Sequence, residues 1–508
     1  MSAVPPTGTE VAPPALTSST PVTDAVAMDH GQLPPWQPAD LPEPLPFSFR
    51  NTLRTIGPGA ILLAGAIGGG EWIVGPMMAV KYGPGILWIA TVSIFLQSLF
   101  NLEAVRYTLY TGEPILTGVM RLNPGPRLWA PFYIVMGSAQ LATPAIAAAC
   151  ATVLFAAFVG RMPDAADTAW LRGIGMGVVL LSASLLMSGR SIEHVLEKLS
   201  WAMIGFIFVF LLAVNILCVP AAIWWQTIRG FFTVRPLPAD IDFPLLGLFA
   251  ATAGSGGLGN LAISNWFRDK GFGMGSRVGT ISGALSEEAS PLQPVGFASS
   301  TSPENCRRWT TWWRYARLDQ QALWGIGCLL GMFFNVNLAA AIVPPDAQVT
   351  GYAVGAFQAH YLAQQFWSGL WILTLINGFW ILFSTHLGNT DCLVRTATDI
   401  LWAASPKARQ FPASRIYAGL LGLLTVWALF AIHLGSVLEL FTVLGILASP
   451  IMAVAAVQIL RINTRFLPRE FRPPLWRRAA LVLCVFAYGG ISVALLVNMV
   501  RSWSAQAG

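Results

Sequence analysis

Apolar runs close to the ~20 residues that cross a bilayer's hydrocarbon core recur from residue 57 to residue 501, divided by short polar, Gly- or Pro-containing stretches. They predict eleven helices, over 57–80, 84–108, 128–160, 170–188, 199–223, 243–267, 317–342, 366–391, 412–433, 435–460 and 479–501, numbered 1 to 11 in chain order. Helix is the only choice for continuous runs of this kind, because lipid offers no partner to an unpaired backbone N–H or C=O. A membrane barrel would instead alternate apolar and polar residues. The third run contains Pro144 and is read as one kinked helix.

Composition agrees: 55% of the 508 residues are hydrophobic and 11% are charged, against about 25% charged in a soluble domain. The expected fold class is therefore an all-α polytopic membrane protein. With an N-terminus on the cytoplasmic side, of the 30 Lys and Arg residues only Lys81, Arg161, Arg172, Arg229, Arg235 and Arg501 fall outside. That asymmetry orients the chain in a cell (inner or plasma) membrane, N-terminus cytoplasmic and C-terminus outside. The net charge of +6 then reflects topology and calls for no nucleic-acid partner. Residues 1–46, rich in Pro, Thr, Ala and Ser, lack the basic start and apolar core of a signal peptide and read as a disordered cytoplasmic tail. Residues 47–508 form the transmembrane domain. The six cysteines and five histidines are scattered without metal-ligand or redox spacing, and no motif of enzyme chemistry occurs, so neither catalysis nor a cofactor is expected.

Two stretches break the helical pattern. Gly68-Gly69-Gly70-Glu71 interrupts helix 1, and Gly254-Ser255-Gly256-Gly257-Leu258-Gly259-Asn260 interrupts helix 6. Glycine costs about 1 kcal/mol inside a helix, and a carboxylate within a bilayer is costly unless it meets a cavity or a partner. Paired breaks five helices apart predict an inverted 5+5 repeat, with a substrate site at the breaks. Repeat one covers about 57–223 and repeat two about 243–460, with the helix at 479–501 outside both. Unwound backbone frees carbonyls that can coordinate a cation; Glu71 adds a full charge, and Ser255 and Asn260 add neutral oxygens. The competing reading of the glycines is close helix packing. For Glu71 it is a carboxylate satisfied by half-helix amides, and a proton carrier is a further option. Gln140, Thr143 and Pro144 in helix 3, and Asn377, Ser384, Thr385, His386 and Asn389 in helix 8, are weaker candidates for a path. Glu439 is expected near the outer interface, Glu103 with Arg106 and Asp391 with Arg395 as helix-surface pairs, and Trp309, Trp312, Trp313 and Tyr315 as an interfacial anchor.

Gly57-Pro58 at the start of helix 1, Tyr110-Thr111-Gly112-Glu113-Pro114 before helix 3 and Arg314-Tyr315-Ala316-Arg317-Leu318-Asp319 at the start of helix 7 resemble the natural resistance-associated macrophage protein (Nramp) family of divalent-metal transporters. The resemblance runs from about residue 50 to 500 and implies a LeuT-type repeat and metal uptake coupled to protons. The chain departs from it where metal would bind. The family's Asp-Pro-Gly-Asn falls on Gly68-Gly69-Gly70-Glu71, its Met-Pro-His-Asn on Gly254-Ser255-Gly256-Gly257, and the acidic pair of its helix 3 on Pro144 and Ala147. Without the thioether, hard oxygen ligands remain, and three glycines would leave room for a partly hydrated Mg²⁺ or Mn²⁺. The expectation is a secondary transporter, a symporter working by alternating access, for a divalent metal cation of the Mn/Fe/Mg class, with Glu71 as the metal's charged ligand. The substrate-binding set is Gly68, Gly69, Gly70, Glu71, Gly254, Ser255, Gly256, Gly257 and Asn260. A small organic solute (amino acid or amine) on the same scaffold is the alternative. A non-transporting sensor, using the tail or the loop from Lys270 to Arg308 as its output, is a third.

Overall fold

A computed structural model describes residues 29–188, 192–281, 292–344, 347 and 352–507. Among the described residues, ten helices are long and apolar enough to cross a membrane: Pro58–Tyr82 (helix 1), Pro84–Thr111 (2), Pro126–Val159 (3), Ala165–Met187 (4), Leu196–Cys218 (5), Pro303–Ile342 (7), Leu370–Ala404 (8), Ala413–Ala431 (9), Glu439–Arg465 (10) and Leu475–Arg501 (11). Helix 6 completes the eleven as two short pieces, Phe243–Thr252 and Leu258–Asp269, joined across the second glycine-rich stretch. The chain is an integral membrane protein. Helix 1 sits at its centre, 89% of its most apolar window buried, whereas helices 9 and 11 are 22% buried and present Leu423, Trp427, Phe486 and Val493 outward. That distribution places the polar residues of helices 1, 6 and 8 inside the bundle and leaves apolar side chains to lipid.

The face where helix 1 begins will be called proximal, and the face at Tyr82 distal. Contacts of residues 29–46 bring Arg121, Arg277, Arg307, Arg308 and Arg465 together on the proximal face. All five belong to the set that charge asymmetry assigns to one side. Tyr82 meets the backbone of Asp242 on the distal face, and Trp72 meets Gly355.

Several boundaries differ from expectation for physical reasons. Helix 7 begins at Pro303, with Ser302 capping it through Asn305 N–H. The aromatic stretch at its start packs inward: Trp309 stacks on Phe471 at 4.6 Å, and Trp312 Nε1 donates to the Pro42 carbonyl. It is a protein contact, and the reading as an anchor in the lipid interface is corrected for Trp309, Trp312 and Tyr315, which are buried. Helix 8 runs thirteen residues past its expected end, to Ala404, because Arg395 and Asp399 find buried ionic partners on helix 6. Helix 3 does break where Pro144 stands, into Pro126–Leu141 and Ala145–Val159. Short helices over Ala221–Phe232 and Phe357–Gln365 were not legible as membrane spans and are too short to be ones.

The expectation of a disordered tail fails for its last eighteen residues. Residues 29–46 are packed: Leu41 is fully buried, Trp36 nearly so, and Gln37–Pro38 pairs in parallel with Phe297–Ala298. Residues 1–28, and residues 282–291 of the loop between Lys270 and Arg308, lie outside the described residues.

Candidate functional site

Helix 1 runs regularly from Pro58 to Ala66, leaves helical geometry at Ile67 (ψ 84°), and resumes as a π-helical turn over Gly70–Val74 before Gly75–Tyr82. Helix 6 ends its first piece at Thr252, and Gly254, Gly256 and Gly257 carry φ of +122°, +60° and +65° before the second piece starts at Leu258. Those angles favour glycine because any Cβ would crowd the backbone. The two breaks meet. Glu71 Oε2 accepts from Gly68 N–H at 3.1 Å, and Oε1 accepts from Gly254 N–H at 3.2 Å. One fully buried carboxylate thus joins the start of helix 1's distal half to the break in helix 6. Its placement follows from the half-helix N-terminus, whose free amides and positive dipole end attract an anion.

The glycine triplet is a packing device on three sides. A Cβ on Gly68 would overlap Thr385 of helix 8, one on Gly69 would overlap Phe441 of helix 10, and one on Gly70 would overlap the Thr252 carbonyl of helix 6. The room for retained water expected from the missing side chains is therefore occupied by these neighbours. Gly69 faces helix 10 and not the break in helix 6; Gly68, Gly70, Glu71 and Gly254 are the members that converge there.

The backbone freed in helix 6 is largely taken up by two glutamines. Gln97 of helix 2 accepts from Ser255 N–H (3.1 Å), Gly256 N–H (3.2 Å) and Asn260 Nδ2 (3.1 Å), and donates to the Ala253 carbonyl (3.2 Å). Gln140 of helix 3 accepts from Leu258 N–H (3.0 Å) and donates to the Gly256 carbonyl (3.2 Å). A primary amide carries both an acceptor and donors, so one side chain can replace both halves of a missing backbone ladder. Sequence alone offered Gln140 as a weak candidate and missed Gln97, which stands with Ser93, Ser98 and Asn101 in the apolar run of helix 2. Among the described residues, Ser255 Oγ in the break and Asn260 Oδ1 in the first turn of helix 6's second piece are buried without a hydrogen-bond partner.

Other candidates resolve differently. Ser384 Oγ donates to Ala64 O (2.8 Å), and Thr385 Oγ1 donates to Ile67 O (3.4 Å), so both take up carbonyls of helix 1's proximal half. Thr143 Oγ1 and His386 Nε2 face a cavity of about 20 Å³ between helices 3, 4, 8 and 9, apart from the breaks. Glu439 is exposed and closes a capping box with Ser436 at the start of helix 10. The Glu103–Arg106 and Asp391–Arg395 pairs form at 2.6 and 2.9 Å, but inside the protein and not on a helix surface. Asp391–Arg395 grows into a buried network with Asp269, Arg268 and Asp399, to which Trp266, Asn265 and Tyr417 donate.

This network sharpens the contrast at Glu71. Glu103 pairs with Arg106 and Arg477, Glu113 with Arg121, Asp167 with Arg161, Asp269 and Asp391 with Arg395, and Asp399 with Arg268. Among the described residues, the buried carboxylates without a basic partner are Glu71 and Asp319. Asp319, in the π-helical opening of helix 7, accepts from Gly57 N–H at 2.9 Å and so caps the proximal start of helix 1. Glu71 remains a buried carboxyl group held by backbone amides alone.

Comparison with known structures now bears on the arrangement. No protein-family model matches the chain. An uncharacterized protein of Pasteurella multocida is 25% identical over 148 residues, covering 28% of this chain, so the match spans only 33% of that relative's length. Two variants of the Eremococcus coleocola manganese transporter superpose with a TM-score of 0.66 at 14% identity, covering 95% of this chain and 92% of theirs. The same transporter bound to an aromatic bis-isothiourea compound gives 0.63 at 16% identity over 90% and 89%. The chain shares their fold. They are Nramp-type, LeuT-fold structures, so the resemblance read from Gly57-Pro58, the Thr111-Gly112 turn and Asp319 holds at the level of architecture.

Proposed function

We propose that the protein is a secondary transporter that moves an inorganic divalent cation through the crossing of helices 1 and 6, with Glu71 as its charged ligand. The observation that carries this reading is the isolation of Glu71: a carboxylate at the centre of the bundle, wholly buried, without a basic partner among the described residues. A buried charge of this kind is tolerated where a counter-charge arrives. Each Glu71 oxygen receives one amide, and a carboxylate offers about four lone-pair positions, so capacity for a cation remains. Ser255 Oγ and Asn260 Oδ1 supply further hard oxygens. The fold shared with manganese transporters adds support at the level of class. With the glycine side filled by Thr385, Phe441 and Thr252, the ligands are protein oxygens rather than a retained water shell, which favours a site of few, close donors.

The amino-acid alternative fits less well. A zwitterion's carboxylate would need free amides at the half-helix starts, and those of Gly68, Gly254, Ser255, Gly256 and Leu258 are already bonded to Glu71, Gln97 and Gln140. The test is uptake of Mn²⁺ and Mg²⁺ into proteoliposomes. Glu71→Gln should lower uptake at least roughly tenfold, the loss that corresponds to about 1.4 kcal/mol; unchanged uptake would remove Glu71 from the site. Saturable uptake of an amine without metal dependence would favour the organic-solute alternative.

A further inference from the structure

We propose that residues 29–46 are a clamp that holds the proximal half of helix 1 in place, and that turnover requires its release. The proposal rests on the transport reading for its functional consequence, and on the contacts of this segment for its existence.

The clamp has two anchors. At the first, Asp29 pairs with Arg465 at the end of helix 10 (2.5 Å), and Gln32 N–H donates to the Arg121 carbonyl (3.0 Å). Arg121 Nη1 donates back to the carbonyls of His30 and Pro34, both at 2.8 Å, while Trp36 covers its guanidinium at 4.2 Å and sets its edge against Phe466. Gly31, at φ +66°, lies so close to the Arg121 backbone that no side chain fits. Arg121 is itself fixed by Glu113, which also accepts from Gly296 N–H at 3.0 Å. The segment therefore seals a buried ion pair that ties the connection between helices 2 and 3 to the loop before helix 7.

The second anchor is helix 7. Leu41 N–H donates to Asn305 Oδ1 (3.0 Å), Arg308 donates to the Leu41 carbonyl and pairs with Glu43, Trp312 donates to Pro42 O (2.9 Å), and Tyr315 Oη donates to Pro46 O (3.0 Å). From there the chain passes with little slack through the capped helix Phe49–Thr55 to Gly57, whose N–H is held by Asp319. Between the anchors, Gln37 and Ala39 donate to the carbonyls of Gly296 and Ala298.

The break at Ile67 makes Pro58–Ala66 a separate nine-residue rod. If it pivots there to open the proximal side, as rocking transporters do, helix 7 and the second anchor move with it, while the first anchor stays on helix 10 and the helix 2–3 connection. The hydrogen bonds of Gln37 and Ala39 lie across that shear. They must give for the rod to move.

Hydrogen exchange on the full chain in lipid nanodiscs tests this directly. Trp36→Ala should speed exchange of amides 59–66 roughly tenfold, since local opening sets those rates, and should raise the kcat of Mn²⁺ uptake in proteoliposomes with KM unchanged. Acceleration confined to 29–46, with 59–66 unchanged, would overturn the clamp and leave the segment a passive cover. Should Trp36→Ala not fold, Asp29→Asn at the surface and Gln37→Pro, which deletes the N–H given to Gly296, provide the same readout. Wild-type protein that moves no cation would overturn the transport reading, while the exchange of 59–66 would still decide the clamp.

Discussion

At the residue scale, the glycine triplet and the glutamate after it do different jobs. Gly70 exists because helix 6 passes against it: Gly70→Ala drives a methyl into the Thr252 carbonyl, and overpacking of this kind costs about 1–3 kcal/mol. Thermal unfolding in detergent should show the loss, with Gly65→Ala, which meets open space, as the neutral control. Gly256→Ala forces a side chain into left-handed backbone, a cost of about 1–2 kcal/mol. Glu71 has no such steric role. Outside the membrane spans, Glu113 carries a pH prediction. Burial works against its charge, yet the Arg121 guanidinium and the hydroxyl of Tyr107 hold its carboxyl below the ordinary glutamate value. A depressed folded-state value contributes stability that is present above the unfolded pKa and is lost as pH falls through the folded one. Melting measured from pH 7 downward should therefore show the packing of residues 29–46 on Arg121 weakening at acid pH, and Glu113→Gln should flatten that dependence.

At the scale of elements, each break is legible in sequence but its support is not. Dense glycine in two apolar runs, five helices apart, locates both interruptions to within a few residues, helix 1 breaking at Ile67 just before the triplet and helix 6 resuming already at Leu258, because glycine is what positive φ and close approach require. Gln97 and Gln140 escape notice because a lone glutamine in an apolar helix reads the same whether it bonds its own turn or a neighbour three helices away. Only the packing of helices 2 and 3 on helix 6 shows that they replace its missing ladder. Gln140→Leu would leave Leu258 N–H and the Gly256 carbonyl buried and unpaired, at about 1–3 kcal/mol each. Hydrogen exchange should rise across 253–260 in that variant and remain unchanged in helix 9. The docked segment misleads for a related reason: its proline content matches a disordered tail, whereas Trp36 and Leu41 are the signal that it packs. The aromatic start of helix 7 hides its partner in the same way, since the residues it buries against, Pro42 to Pro46 and Phe471, are distant in sequence.

At the scale of the molecule, most buried charges of the proximal half are paired, and among the described residues Glu71 and Asp319 are the buried carboxyl groups without a basic partner. Helix 6 reaches helix 8 through Arg268, Asp269, Asp391, Arg395 and Asp399, all buried. Removing one partner of such a set leaves a stranded charge and costs about 3–5 kcal/mol, so Arg395→Met should unfold or severely destabilise the protein, and Arg395→Met with Asp391→Leu should recover part of the loss. A melting series in detergent distinguishes the two outcomes. Glu71 has no such partner among the described residues, and under the proposed reading a cation supplies it. Calorimetric titration of purified wild-type and Glu71→Gln protein with Mn²⁺ tests that most directly. The account predicts saturable binding to the wild type that is lost in Glu71→Gln; equal binding by both proteins would contradict it.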